Sequence, residues 1–184
     1  MPKRHLAAAT LILLASCAPG PDRVVERRVA DAPAARGETL LRTAMLDGHN
    51  IARAGLGLDP LVWDDVLADH ARADAGYMAR TGRFEHAPQP PGAGHEGENL
   101  FTGTRDAYAY REMVGYWRAE QANFVNAPVP TSSRTGKFAD VGHYSQIVWR
   151  TTRRVGCALS SGATADYLVC RYAPSGNVVG YRAY

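Results

Sequence analysis

Three cysteines in 184 residues leave little for thiol chemistry. With Cys17 assigned to an N-terminal acylation site, only Cys157 and Cys170 remain, and no spare thiol stands out as a nucleophile. Long hydrophobic runs are missing too. The apolar run Leu6–Ala15 has ten residues, half of the roughly 20 that a membrane-spanning helix needs. No cluster of Lys and Arg interleaved with aromatics marks a nucleic-acid-binding face, so nucleic acid is not an expected partner. There is no internal repeat. There is also no Gly-x-Ser-x-Gly elbow for a serine nucleophile and no His-Glu-x-x-His zinc helix.

What the N-terminus does have is an address. Lys3, Arg4 and His5 precede the apolar run, which closes on Leu14-Ala15-Ser16-Cys17, a pattern like the lipobox of bacterial lipoproteins. Residues 1–16 are then a cleaved signal peptide and Cys17 an acylated anchor to the membrane. With two or three acyl chains the anchor holds firmly, since each buried methylene adds about 0.8 kcal/mol. Ala18 rather than Asp after the cysteine points to the outer membrane, facing the periplasm or the cell surface. A plain secretory signal is the other reading of the same residues. Residues 17–37 form a tether rich in Pro, Gly and Ala, without apolar periodicity. Lys3 and Arg4 leave with the leader, so of the 21 basic residues 19 remain beside 18 acidic ones.

Residues 38–184 have the length of one domain, able to bury about two-thirds of its surface, and are expected to be monomeric. Leu41, Met45, Gly48 and Ala52 share one face of a predicted helix over 38–54, ended by Gly55 and Gly57. Asp64 is a predicted cap for a second helix running to about Arg80. Residues 82–103 are rich in Gly and Pro and are predicted as a long functional loop. A third helix is predicted over 105–124, capped by Thr104. Strands are predicted near 143–150, 154–160, 166–172 and 178–183. Helices first and strands last indicate an α+β domain with helices covering an antiparallel sheet. Ser160-Ser161-Gly162-Ala163 is a turn signal, and Cys157 and Cys170 are symmetric about it. They would face each other across a hairpin as a disulfide in an exported protein; two buried free thiols are the alternative.

Two polar residues sit on apolar surfaces. His143 alternates with Ser145, Ile147 and Trp149 along the predicted strand. Glu120 falls on the stripe Met113, Trp117, Phe124 of the third helix, where a carboxylate is costly unless paired, hydrogen-bonded or bound to metal; at the edge of the stripe it would instead reach solvent. Two residues along a strand, His143 and Ser145 point the same way about 7 Å apart, too far for a base and its nucleophile. His49 and His70, on helices, are expected to be ordinary hydrogen-bonding residues. Asn99 and Gln146 are expected to hold backbone in place, whereas Tyr144 either packs under a helix or lines a cleft.

His49-Asn50-Ile51-Ala52-Arg53, Trp63-Asp64, Phe84-Glu85-His86, Gly97-Glu98-Asn99-Leu100 and Trp117-Arg118-Ala119-Glu120 come in that order. Gly142-His143-Tyr144-Ser145-Gln146-Ile147-Val148-Trp149, Val155-Gly156-Cys157-Ala158 and Tyr167–Val178 follow. Eight landmarks in this order resemble the CAP superfamily (cysteine-rich secretory proteins, antigen 5 and plant pathogenesis-related 1 proteins) over residues 40–180. The extra cysteines and the cysteine-rich extension of many eukaryotic members are missing, which argues against the channel-binding or sperm-related roles of those relatives. The resemblance implies a three-layer α-β-α sandwich with a central antiparallel sheet. It also implies a cleft with two His and two Glu: His86, Glu98, Glu120 and His143. His95 and Glu96 lie near enough in sequence to substitute for Glu98. Imidazoles with carboxylates suit a divalent metal, zinc first.

Two functional readings follow. The preferred one is a lipid-anchored, exported binding module with a metal-capable cleft, taking a lipid, a small apolar molecule or an envelope component. The other is a metal-dependent peptidase or esterase with Glu98 or Glu120 as general base.

Overall fold

The computed structural model describes residues 32–90, 92 and 94–184. Cys17, the leader before it and the tether through residue 31 lie outside the described residues. Helix α1 spans Glu38–Ala54 and helix α2 Asp65–Thr81, both as the periodicity predicts. Asp64 caps α2, its side chain accepting from the Leu67 amide at 3.1 Å. Burial alone would raise the Asp64 carboxyl, but that hydrogen bond and the Arg154 guanidinium hold it below the ordinary value. Between the helices lies a two-residue strand, β1 (Val62–Trp63).

Four predicted elements differ. Strand β2 (Gly97–Thr104) emerges from what reads as the end of a loop. Its Gly, Glu and Asn are poor strand formers, and cross-strand pairing with β4 overrides their preference. Helix α3 begins late, at Tyr110, and ends at Ala119, with a 3₁₀ turn over Glu120–Ala122. Asp106 has a positive φ of 59°, which bends the chain before the helix, and Glu112 accepts the Ala109 amide at its start. The predicted strand 143–150 is instead helix α4 (Gly142–Ile147). Tyr144 through Trp149 are all buried, so the alternation of polar and apolar residues there does not mark an inside and an outside. No strand forms at 178–183; Val179 makes an isolated bridge to Val129.

Strands β3 (Arg154–Ser161) and β4 (Ala165–Ala173) form the predicted hairpin, and Cys157 pairs with Cys170 in register and in a disulfide. The sheet order is β1-β3-β4-β2, with β1 parallel to β3 and the other pairs antiparallel. Helix α2 covers one face, packing on β3 and β4 through Ala71, Ala75 and Met78. Helices α1, α3 and α4 cover the other, with Met45, Met113, Trp117, Ile147 and Val155 at the centre. The result is an α+β sandwich of three layers. Gly48 lets α1 and α3 touch: a Cβ there would lie 2.6 Å from a Val114 methyl. In this order β2 is an edge strand, and the edge it leaves free is the floor of the site described next.

Candidate functional site

A cleft of about 470 Å³ runs along β2, lined among others by Phe84, Leu100, Tyr116, Trp117 and Phe138. His86, Glu98, Glu120 and His143 all line it, so four positions spread over 58 residues of sequence reach one hollow. They come from both layers: Glu98 opens β2 and His86 precedes it in the loop, while Glu120 follows α3 and His143 opens α4.

The four form two pairs. His86 Nδ1 lies 2.5 Å from Glu98 Oε1, which also accepts the Ala87 amide at 3.2 Å. His143 Nδ1 lies 2.5 Å from Glu120 Oε1, and Glu120 Oε2 accepts the Tyr144 amide at 3.0 Å. An ionised carboxylate only accepts, so each imidazole donates through Nδ1, and the neutral form of either ring then carries its lone pair on Nε2. The His143 ring stacks on Trp117, centroids 5.7 Å apart and planes 16° from parallel. Glu120 thus sits on the apolar stripe because a histidine and an amide are there to receive it. Among the described residues no three His, Cys, Asp or Glu side chains are close enough together to share a metal ion as they stand.

The neighbouring candidates fall elsewhere. His95 is exposed, and neither it nor Glu96 lines the cleft. Glu96 instead faces α2, with its Oε1 2.9 Å from His70 Nδ1. Ser145 is fully buried, and on a helix residues two apart do not face each other, which removes it as a partner for His143. Tyr144 packs against Phe124, centroids 5.3 Å apart, and burial raises its hydroxyl pKa.

A buried polar chain braces the cleft from behind. Asn99 Nδ2 donates to the His143 carbonyl at 3.1 Å and to the Tyr172 hydroxyl at 3.0 Å. Tyr172 donates to His49 Nε2 at 2.7 Å, because His49 Nδ1 already donates to the Met45 carbonyl at 2.7 Å. Full burial lowers the His49 pKa to about 4 and raises that of Tyr172 well above its ordinary value. Gln146 accepts the Gly176 amide and donates to Thr152, and Arg53 donates to the carbonyls of Asp59, Ile147, Trp149 and Thr152. These residues fix the backbone that carries His143. Arg171 escaped the sequence reading. It is 3% exposed in the otherwise apolar run from Tyr167 to Tyr172, and a charge in such a run is the signal that points to it.

Known proteins share this arrangement of elements. Pathogenesis-related protein 1C of Nicotiana tabacum is 36% identical over 140 residues, which cover 76% of this chain and 78% of that protein. Protein PRY2 of Saccharomyces cerevisiae is 34% identical over 142 residues, 75% of this chain and 38% of that one. Among solved structures, the crystal structure of NaASP2 with Zn2+ superposes with a TM-score of 0.65 at 25% identity, covering 84% of this chain and 88% of that one. Residues 46–172 match the CAP profile, that of the cysteine-rich secretory protein family, and the chain belongs to that family.

Proposed function

We propose that the protein is an exported, lipid-anchored binding module whose cleft takes a divalent cation, zinc by the chemistry of its donors, next to a ligand from the cell envelope, lipid included. One observation carries the metal: both histidines give Nδ1 to a carboxylate, the pairing that leaves Nε2 of the neutral ring to a metal ion. His86 and His143 would hold the ion, Glu98 and Glu120 would orient them, and bound zinc would supply Lewis acidity to whatever enters the cleft. Zinc in the related NaASP2 structure supports this choice. The Cys157–Cys170 disulfide and the secretory description of the family support export, and the lipobox-like Leu14–Cys17 supports the anchor.

Binding fits the site better than hydrolysis. Glu120 has both oxygens engaged, by His143 and the Tyr144 amide, and Glu98 has His86 and the Ala87 amide on one oxygen and Arg171 3.2 Å from the other. Both carboxylates are committed to holding their histidines, which suits orienting a metal ligand better than taking a proton from water.

Calorimetric titration of the full chain with zinc is expected to show one site, lost in His86→Ala/His143→Ala; equal affinity in that double variant would refute the metal. Mass spectrometry of molecules co-purified from membranes is expected to return a lipid or another envelope component. Fatty-acid label that persists in Cys17→Ser would refute the anchor.

A further inference from the structure

The two His–Glu pairs look alike in the cleft but differ behind it. Among the described residues Glu120 is held by its histidine and an amide alone. Glu98 has a cation at its back.

Arg171 stands directly across from Glu98 in the β2–β4 ladder and across from Gly156 in the β3–β4 ladder. Gly156 has no side chain, so α2 approaches the sheet there and brings Asp74 over the guanidinium. Arg171 Nε lies 3.0 Å from Asp74 Oδ2, and Nη2 contacts the same oxygen. That Nε is also 3.2 Å from Glu98 Oε2, an oxygen with no hydrogen-bond partner among the described residues, and Nη1 is 3.9 Å from Glu96 Oε2. The side chains of Arg171 and Glu98 are 4% and 5% exposed, so water does not screen the pair. His86, by contrast, is 54% exposed. An imidazole that open has little packing to fix its ring and leans on its carboxylate.

We propose that Arg171 is a positioning residue for the His86 half of the site. Clamped by Asp74 from α2, it holds Glu98 with Oε2 turned inward, so that Oε1 faces His86 Nδ1 and selects the ring form with Nε2 free. The His143 half obtains the same result from stacking on Trp117. This inference rests on the metal reading for its consequence, but the orientation of His86 is a property of the metal-free protein.

The test uses the full chain in detergent. Nitrogen-15 spectra of metal-free protein above pH 7.5 should show the His86 ring protonated at Nδ1 in the wild type and as a mixture of ring forms in Arg171→Met. Zinc affinity should fall by up to about 10- to 100-fold in that variant, the loss usual when the carboxylate that orients a metal-bound histidine is itself released. Arg111→Met, which breaks only the exposed pair with Asp47, should change neither. If Arg171→Met does not fold, Asp74→Asn takes its place, because it releases the guanidinium from the α2 side and leaves the arginine in the sheet. A wild-type His86 ring in the folded variant overturns the proposal whatever the affinity does. A wild type that binds no zinc overturns the metal reading instead, and the His86 spectra still decide the role of Arg171.

Discussion

His49 shows at the scale of one residue how a polar group is kept inside an apolar layer. It is fully buried, both ring nitrogens are satisfied, and its pKa falls to about 4 against 6.5 in the open chain. Between those values the unfolded chain binds a proton that the folded protein refuses, so stability rises with pH through this window and is lost as pH falls through it. The full span amounts to about 3 kcal/mol. Urea unfolding of the wild type should therefore lose midpoint between pH 7 and pH 4.5, and His49→Gln should lose distinctly less; parallel slopes for the two proteins would refute this. Much of the site was legible residue by residue. Glu120 stands out as a carboxylate on an apolar stripe, and the order of landmarks supplies His86, Glu98 and His143; the alternation around His143 belongs to a strand that does not form. Arg171 is visible in sequence only as a charge in an apolar run; its role is not, because its partner Asp74 is 97 residues away and no local pattern joins them.

Among the elements, those with enough length to show a period were read correctly. α1 and α2 each run 17 residues, and Asp64 marks a start that tertiary packing did not move. α4 has six residues, less than two turns, so its sequence cannot display a helical stripe; it alternates by accident and is buried nearly all round. β2 was hidden by its glycines, since its pairing is supplied by β4. The contact of α2 with β3 rests on Gly156, where a Cβ would run into the backbone of Asp64, Leu67 and Ala68. Gly156→Ala should therefore cost about 3 kcal/mol, at the upper end of ordinary overpacking. Thermal unfolding measures it, and a loss below about 0.5 kcal/mol, the range of a neutral surface change, would show that α2 can shift freely.

For the whole molecule, the β3–β4 hairpin is the part that every layer touches, and its disulfide closes a loop of sequence separation 13. Reduction should lower stability by about 3 kcal/mol in the chain-entropy model. The urea midpoint with and without reductant tests this, with Cys157→Ala/Cys170→Ala as the matched protein; a midpoint indifferent to reductant would exclude a stabilising bridge. The same hairpin receives the N-terminal segment. Arg36 donates to Asp166 at 2.7 Å and to the Tyr108 carbonyl at 3.0 Å, and its guanidinium lies over Tyr110. Asp166 and Arg171 are five residues apart on β4, about 17 Å at the rise of a strand. A pull on the chain ahead of residue 36 would therefore meet this salt bridge, with the Tyr108 and Tyr110 contacts beside it, before it reaches α1. On β4 that load would enter at Asp166, five residues from the Arg171 that backs Glu98.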